Sequence, residues 1–323
     1  MKALVTGGTG FVGRHLIEAL LAEGPNRVHV LVRDEGRLDA CSFKNAVSVI
    51  RGDLFLSEPF PQDIETVFHL AAVTKALTPG EFTRVNLEGT QALLEKLESL
   101  PHLRKVVLLS SLAAAGPSRA GTPLNEDMPP APVSLYGRSK RAQEEMVAGR
   151  CPAPFAIIRA PIVFGPGDMD MLNAFRIVAR GIVPLLGRKE RRYSVIYVKD
   201  LANAMIAAAG SPGQDDVFYV ANPETIEWRA FMEQAARLLG EKKARTIMIP
   251  EILGRVLAEF SELRIRAFRN KAIFNRDKFN EMKYPAWVCS AAKIEAMLHF
   301  QPRFPLPAAL KETIGWYREQ GLL

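Results

Sequence analysis

Short apolar runs alternate with longer amphipathic stretches over the first half of the chain. The runs are rich in Val, Ile and Leu, which is typical of strands buried on both faces of a sheet, and they span 2–6, 27–33, 46–52, 66–72, 105–111 and 155–160. Patterns with helical spacing separate them near 11–23, 81–99 and 135–149. This alternation predicts an α/β fold built on a doubly wound, Rossmann-type parallel sheet.

After residue 160 the alternation gives way to mixed elements, with helical patterns near 227–240 and 250–270. We therefore predict two parts. A Rossmann domain covers 1–160, and later segments return to it. A smaller α/β domain covers most of 161–323 and packs on the carboxyl edge of the sheet.

The stretch 250–274 combines an apolar stripe with a basic end. The stripe consists of Ile252, Leu253, Val256, Leu257, Phe260 and Leu263. The basic residues that follow are Arg264, Arg266, Arg269 and Lys271. Such a helix either lies on a membrane surface or buries its stripe against the small domain. We favour the buried helix.

Composition narrows the class of protein. The 323 residues are 48% hydrophobic and 24% charged, as in an ordinary globular protein with ample core. MKALVTGG runs from a strand directly into glycines, so we expect no secretory signal, and no apolar run approaches the roughly 18 residues of a membrane span. The three cysteines follow no metal or disulfide spacing, which favours a reduced, cytoplasmic setting and no metal site.

The net charge of +7 is compatible with an anionic cofactor or substrate as well as with nucleic acid. Because no arginine-rich run is interleaved with aromatic residues, we expect no nucleic-acid partner.

Glycines follow the first predicted strand and open the first helix, in the segment TGGTGFVG (6–13). Gly7, Gly10 and Gly13 would allow a tight turn, the close approach of a pyrophosphate and close packing of helix on strand. The helix N-terminus would present free N–H groups to the phosphates. The segment therefore predicts a dinucleotide site.

The end of the second strand indicates which dinucleotide binds. Arg33 stands where NAD enzymes of this architecture place an acid, and Asp34 follows it. An arginine there accommodates the extra phosphate of NADP, so we favour NADP(H), with NAD(H) as the alternative. Asp53, at the end of the third strand, either accepts from the adenine amino group or serves as a turn residue.

Tyr136 and Lys140 lie four residues apart in SLYGRSK (134–140), so on a helix they share one face. An ammonium beside a phenol could lower its pKa towards neutrality and create a proton donor and acceptor useful near pH 7. The same spacing is also common on solvated helix faces, so the pair alone does not decide between catalysis and structure.

Seven motifs occur in order: TGGTGFVG, GDL, HLAA, VNLEGT, SS, YGRSK and PIVFGPG. With them the chain resembles the extended short-chain dehydrogenase/reductases, a group that includes sugar-nucleotide epimerases and dehydratases, steroid dehydrogenases and dihydroflavonol reductases. The resemblance covers residues 1 to about 210 and, more loosely, the C-terminal segment.

The resemblance implies an NAD(P)-dependent enzyme that transfers hydride to or from a carbonyl or alcohol carbon. Tyr136 would be the acid/base, Lys140 would bind the nicotinamide ribose, and Ser111 would hold the reacting oxygen; Asn86 completes the catalytic set. The implied cofactor-binding residues are Gly7, Thr9, Gly10, Phe11, Val12, Gly13, Arg33, Asp53, Leu54, Leu70, Ala71, Ala72, Tyr136, Lys140, Pro161 and Val163. For His69 we favour a satisfied buried histidine.

The chain departs from its sugar-nucleotide relatives in three segments. The loop after Ser111, LAAAGPS, lacks their Val-Tyr-Gly and is closer to the steroid-dehydrogenase-like pattern. Ala160 follows Arg159 where they carry proline, and Phe164 replaces a tyrosine. Seven residues before Asp200, where they carry an arginine for a substrate phosphate, the chain has Tyr193, with Arg192 one residue earlier.

Four readings remain open. We favour an oxidoreductase with exchangeable NADP(H) that acts on a small molecule. The alternative is a redox-neutral epimerase or dehydratase that retains NAD. A non-catalytic NADP sensor is disfavoured, because such proteins typically lack the Tyr–Lys pair. A structural or RNA-binding role on the same fold is supported only by the net charge. The resemblance also implies a homodimer, paired through the helices near 81–99 and 135–149.

Overall fold

The computed structural model describes residues 1–119, 121–187, 189–211, 213, 215–241, 244–268 and 275–323, and over 262–268 the backbone alone. Its strands are β1 (Lys2–Thr6), β2 (Arg27–Val32), β3 (Ser48–Arg51), β4 (Thr66–His69), β5 (Lys105–Ser111), β6 (Phe155–Ala160), β7 (Ile162–Phe164), β8 (Ile182–Leu186), β9 (Arg192–Tyr193), β10 (Val195–Tyr197), β11 (Asp216–Tyr219), β12 (Ile226–Glu227), β13 (Arg245–Ile249) and β14 (Ala286–Trp287).

The helices alternate with these strands in the first half and dominate the second. They are α1 (Phe11–Ala22), α2 (Pro79–Phe82), α3 (Gly89–Leu97), α4 (Leu112–Ala115), α5 (Leu135–Arg150), α6 (Met169–Val178), α7 (Val198–Gly210), α8 (Trp228–Leu239), α9 (Glu251–Phe268), α10 (Arg276–Met282), α11 (Ala292–Leu298) and α12 (Leu306–Glu319). A π-helical turn, Thr83–Glu88, joins α2 to α3. None of the helices in the described ranges is both long and apolar enough to cross a bilayer.

Seven parallel strands form the central sheet, in the order β11-β6-β5-β4-β1-β2-β3. Apolar residues of α1 and α7 pack on one face, and those of α3 and α5 pack on the other. The sheet is therefore doubly wound, and the predicted fold class is confirmed. After β3 the chain crosses to the other side of β1, so that β4 lies beside β1 and the strand order reverses there. Open sheets of this kind bind ligands at the carboxyl ends of the strands at such a point.

The second half of the chain contributes to both parts of the molecule. β11 pairs with β6 and α7 packs in the same core cluster as α1, so these segments belong to the central sheet. A separate apolar core lies among α6, α8 and α12 and includes Phe164, Phe175, Phe231, Leu310 and Tyr317. The small sheets β13-β8 and β12-β9-β14 complete this smaller part.

The expectation that the stripe of 250–274 is buried is wrong for the residues that the structure describes. Ile252 is 81% exposed and Phe260 63%, and Leu253, Val256 and Leu257 are exposed as well. The side chains of Leu263, Arg264 and Arg266, together with Arg269 and Lys271, lie outside the described residues. The apolar stripe is exposed because α9 packs on the protein through its opposite face, where the small residues Gly254 and Ala258 are buried.

Candidate active site

The glycine loop between β1 and α1 is held by backbone contacts that leave no room for larger side chains. Gly7 has a φ of +73°, and a Cβ there would lie 2.8 Å from the backbone nitrogen of Ala71. A Cβ on Gly13 would lie 2.3 Å from the carbonyl oxygen of Gly7. The loop thus brings the start of α1 close to the chain that follows β4, at the carboxyl edge of the sheet.

The first turn of α1 is free to receive an anion. Its N-cap, Gly10, has no side chain to bond the first helical N–H groups, and the turn contains no acidic residue. Phe11 and Val12 pack their side chains against the second apolar core, and the carbonyl of Thr9 accepts from Nε of Arg14 at 3.1 Å. Because unpaired N–H groups and the helix dipole both favour negative charge, this turn fits a pyrophosphate.

At the end of β2, Arg33 is exposed while Asp34 is engaged locally. Oδ1 of Asp34 accepts from the N–H of Gly36 at 3.0 Å and so caps the short 3₁₀ helix Glu35–Leu38. The acid that follows the arginine is therefore a capping residue in this chain.

In the segment after β3, the Asp53 side chain stabilises a turn. Oδ1 of Asp53 accepts from the N–H groups of Phe55 and Leu56 at 2.9 and 2.8 Å. Leu54 is 6% exposed, and its side chain packs where a Cβ on Gly89 would lie. Both residues therefore shape the loop beside the sheet edge.

The segment after β4 is fixed to the sheet and to the π-helical turn. The N–H of Ala71 donates to Oγ1 of Thr6 at 3.2 Å, which positions Leu70, Ala71 and Ala72 opposite the glycine loop. Farther along, the buried Asn86 accepts from the N–H of Val73 at 2.8 Å and donates to its carbonyl at 3.0 Å. Asn86 therefore holds the loop that contains Val73.

Tyr136 lies in the first turn of α5, and the smaller part of the molecule holds that turn in place. Ser134 caps the helix by accepting from the N–H of Gly137 at 2.9 Å. Asp277, on α10, accepts from the N–H groups of Leu135 and Tyr136 at 2.6 and 3.1 Å. A carboxylate from a distant part of the chain therefore completes the N-terminus of the helix that carries the tyrosine.

Ser111 and Tyr136 are brought together at the end of β5. The Ser111 side chain hydrogen-bonds the Tyr136 phenol and also caps α4 by accepting from the N–H of Ala113 at 3.1 Å. Burial raises the pKa of Tyr136 to about 12, although the bond from Ser111 acts in the opposite direction. The lowered pKa expected from the Tyr–Lys spacing is therefore not met here, and the phenol is protonated near neutral pH.

Lys140 is 2% exposed, and its ammonium points into a buried polar cluster. Nζ donates to the carbonyl of Leu109 at 2.7 Å and to the side chain of Gln143. Burial lowers the pKa of Lys140 to about 8, while the nearby Glu144 carboxylate raises it. The lysine thus remains mostly charged at pH 7.

His69 belongs to the same cluster, and it is satisfied, as predicted. Its Nδ1 lies 2.7 Å from Oγ1 of Thr6 and its Nε2 lies 2.9 Å from Oγ1 of Thr90. Burial, with a smaller contribution from Lys140, lowers the pKa of His69 to about 3. The ring is therefore neutral, and it links β1 and β4 to α3 beneath the site.

The segment after β6 closes the site from the other side. Pro161 follows the last residue of β6, and Val163 lies in β7, where it pairs with Ile196 of β10. Val163 packs against both the main core and the second core. These two residues therefore follow β6 at the same edge of the sheet as Ser111, which pairs with Ala160 at the end of β5.

A comparison of the sequence with known families agrees with this arrangement. Residues 3–221 match the NAD dependent epimerase/dehydratase family. The chain belongs to this family. As an extended short-chain dehydrogenase/reductase, it is an NAD(P)-dependent enzyme.

Two reductases of known name are similar to this chain along most of their length. The ceramide reductase of Caulobacter vibrioides is 30% identical over 99% of this chain and 95% of its own. The 4-hydroxy-2-methyl-3-oxo-4-farnesyl-3,4-dihydroquinoline-1-oxide ketoreductase of Stigmatella aurantiaca is 27% identical over 83% and 81%. The structure of UDP-glucuronic acid 4-epimerase from Bacillus cereus, in complex with UDP-glucuronic acid and NAD, shares the fold, with a TM-score of 0.79, 21% identity and coverage of 99% and 100%.

Sequence reasoning missed a buried ion pair behind α5, the helix that carries Tyr136. Nε and Nη2 of Arg159 donate to the two carboxylate oxygens of Glu144 at 3.0 and 2.8 Å. Ser110 donates to the same carboxylate at 2.5 Å, and Nη1 of Arg159 donates to the Tyr219 hydroxyl at 3.1 Å. The register of β5 and β6, which pairs Ser110 with Arg159, is what assembles these groups.

Tyr193 stands where the sugar-nucleotide relatives carry an arginine for the substrate phosphate, and it packs against a second aromatic residue. The Tyr193 ring lies 5.5 Å from that of Trp228, edge to face. Arg192 is 65% exposed and bonds Glu190 at 2.7 Å. Arg191 is buried, and its Nε and Nη2 donate to the carbonyl of Leu186 at 2.9 and 2.7 Å. Arg191 and Arg192 are thus each engaged with other groups, and Tyr193 is the residue beside Trp228.

Proposed function

We propose that this protein is an NADPH-dependent carbonyl reductase whose substrate is apolar and lipid-like rather than a nucleotide sugar. The observation that carries the proposal is the engagement of Arg191 and Arg192 with other groups, beside Tyr193 and Trp228. A sugar nucleotide would bring a diphosphate that requires a cation at this place. An aromatic pair favours burial of apolar surface instead.

Two similar proteins support an apolar substrate. One is named as a reductase of ceramide and the other as a ketoreductase of a farnesyl-bearing quinoline oxide. Both names describe a reductase that acts on a molecule with a long hydrocarbon part, and the second names a ketone as the group reduced. We therefore expect the substrate of this chain to carry a ketone or aldehyde near a long apolar group.

The residues at the carboxyl edge of the sheet fit the cofactor. The side-chain-free surface of Gly7, Gly10 and Gly13 and the uncapped start of α1 suit the pyrophosphate. Leu70 to Ala72, Pro161 and Val163 would line the rest of the dinucleotide site, with Asp53 and Leu54 at the adenine end. We assign the 2′-phosphate to Arg33, because Asp34 is occupied in capping.

The proton chemistry belongs to Tyr136, Ser111 and Lys140. A bound nicotinamide supplies the hydride. Tyr136, with its pKa near 12, is protonated at neutral pH and so suits delivery of a proton to the carbonyl oxygen. Ser111 would donate to the same oxygen as negative charge develops there. The charged Lys140 would turn to the ribose hydroxyls, and Asn86 positions the loop beside it.

The Tyr136→Phe variant tests this assignment. We expect turnover of a carbonyl substrate to fall by a factor of roughly 10³ or more, because the proton donor is lost, while NADPH affinity changes little. Tyr284→Phe is the matched control, since it removes a hydroxyl from the same apolar cluster. Full activity of Tyr136→Phe, or loss of cofactor binding in a folded variant, would contradict the role.

The cofactor preference is tested separately with Arg33→Ser. The Kd for NADPH should rise by roughly tenfold or more, as for loss of one charge-assisted phosphate contact, while the Kd for NADH stays nearly unchanged. Arg27→Ser, at the other end of β2, is the control. NAD that stays bound through purification and does not exchange with added NADPH would instead identify a redox-neutral epimerase or dehydratase.

The remaining assignments are a homodimer and a cytoplasmic location, with 1–160 as the main NAD(P) domain and 161–323 as mainly the substrate domain. The family resemblance supports pairing through α3 and α5 about a two-fold axis. The molar mass of the purified chain in solution tests the dimer.

A further inference from the structure

Helix α9 turns its large apolar side chains outward, which is unusual for an amphipathic helix at the surface of a protein. The outward residues have exposed fractions between 42% and 81%, and we call them the α9 face: Ile252, Leu253, Val256, Leu257 and Phe260. Their spacing places them on one side of the helix. A contiguous exposed apolar patch of this kind marks a surface that binds something.

The packing of α9 explains why this face points away from the protein. Gly254 and Ala258, one turn apart on the other side, are the residues turned inward. A Cβ on Gly254 would lie 2.5 Å from the Leu186 side chain and 3.3 Å from that of Phe279. The helix therefore approaches β8 and α10 through small residues, and this close approach fixes the outward direction of the larger ones.

The preceding strand continues the apolar surface. In β13, which pairs with β8, Ile247 is 47% exposed and Met248 57% exposed. Arg245 at the start of β13 and Arg255 on α9 are exposed as well. The surface thus places two exposed arginines beside the apolar side chains, with Glu251 as an exposed acid of the same helix. Apolar side chains next to basic ones are typical of proteins that lie in a membrane interface.

Positive charge is concentrated in this part of the chain. Residues 242–283 contain eleven Lys and Arg and five Asp and Glu, a net charge of +6, while the whole chain carries +7. A second copy of this segment would carry the same net charge, which disfavours association of two copies through it. Anionic lipid headgroups are complementary to it.

We propose that the α9 face, with Ile247 and Met248, docks this protein on the surface of a bilayer that contains anionic lipids. The apolar side chains enter the boundary between headgroups and acyl chains, and Arg245 and Arg255 lie at the headgroups. The protein binds to the membrane surface without spanning it.

The docking surface is connected to the candidate active site through one helix. Phe279 of α10 lies against Gly254 of α9, and Asp277 of the same α10 accepts from the N–H groups of Leu135 and Tyr136. The side of the molecule that faces the bilayer is therefore the side that holds the first turn of the catalytic helix. An apolar substrate drawn from the membrane would enter there, and this last step alone rests on the proposed function.

The experiment is flotation of the full chain with lipid vesicles. Vesicles of phosphatidylcholine alone are compared with a two-to-one mixture of phosphatidylcholine and phosphatidylglycerol, at low and high salt. The wild type should bind the mixed vesicles, and high salt should weaken the binding because the charge contribution is screened. In the double variant Ile252→Ser/Phe260→Ser, we expect binding to fall by about tenfold or more, since two exposed apolar anchors are lost.

Two further variants complete the test. Leu56→Ser is the matched control, because Leu56 is as exposed as Ile252, at 81%, but lies beside the central sheet, and it should bind as the wild type does. Arg255→Gln should weaken binding to the mixed vesicles by about fivefold. Both Ile252 and Phe260 are exposed, so we expect every variant to fold and to retain turnover of a water-soluble carbonyl compound.

Equal binding of the double variant and the wild type would overturn the proposal, as would failure of the wild type to bind mixed vesicles. A double variant that loses self-association, with no vesicle binding in any form of the protein, would identify the face as a contact between copies. Because flotation needs neither cofactor nor turnover, its outcome is independent of whether a carbonyl reductase activity is found.

Discussion

The buried Glu144–Arg159 pair allows a sharp test of what holds α5, the helix that carries Tyr136, to the sheet. The two side chains are 2% and 3% exposed, and Glu144 accepts from Nε and Nη2 of Arg159 and from Ser110. Glu144→Gln keeps the shape of the side chain but removes the charge. Arg159 then remains charged and buried without its counter-ion, because a guanidinium does not lose its proton in proteins.

The expected loss in the free energy of unfolding is about 3–5 kcal/mol, the usual cost of removing one partner from a buried ion pair. This is a large part of the roughly 5–15 kcal/mol that stabilises a domain. Glu145→Gln is the matched control. Glu145 is the next residue on α5, is 59% exposed and bonds Arg141 at 2.8 Å, so its loss should cost only about 0.3–0.5 kcal/mol.

The assay is urea denaturation of both variants and of the double variant Glu144→Gln/Arg159→Met, with extrapolation to water. The double variant should lose less stability than the sum of its two single changes, since it no longer contains the Arg159 charge that Glu144→Gln leaves without its counter-ion. If Glu144→Gln lost no more than Glu145→Gln, the reasoning from an uncompensated buried charge would be refuted.

Two further predictions concern the glycine loop and the buried histidine. Gly13→Ala should abolish or greatly weaken dinucleotide binding in a ligand titration, because its Cβ would lie 2.3 Å from the Gly7 carbonyl oxygen. Gly149→Ala is the control, since a Cβ there would have nothing within 4 Å. It should leave dinucleotide binding intact and stabilise the helix by roughly 0.5–1 kcal/mol in urea denaturation. The pKa of His69 is about 3 in the fold and about 6.5 in the unfolded chain, so between these pH values only the unfolded chain takes up the proton. The free energy of unfolding should therefore fall as the pH drops from about 6.5 to about 3, by up to about 1.4 kcal/mol per pH unit. His69→Gln should lack this share of the pH dependence, and an identical slope in variant and wild type would contradict the assignment.

The sequence predicted the central sheet well because each strand is a local signal. The runs 2–6, 105–111 and 155–160 were placed at their observed bounds, since β-rich apolar segments between helices have few alternative structures. The ordered motifs also indicated the elements that carry Ser111 and Tyr136, whose side chains meet at the end of β5.

The features that were missed depend on contacts between distant segments. The Glu144–Arg159 pair requires the packing of α5 on β6, and Asp277 reaches the N-terminus of α5 from 141 residues away in the chain. Hydrophobic periodicity showed that α9 has an apolar face, but it does not say which face is covered. Gly254 and Ala258 decided that question, because small residues allow close approach whereas larger ones do not.

The return of β11 to the central sheet has a consequence for synthesis on the ribosome. All six residues of β6 are buried in the fold, and β11 covers one side of this strand from a position roughly 55 residues later in the chain. At about 5–20 residues per second, the nascent chain presents β6 as an open apolar edge for roughly 3–11 s. Such an edge is a template for pairing with other chains, so translation is the stage at which this protein is most exposed to aggregation and most in need of a chaperone.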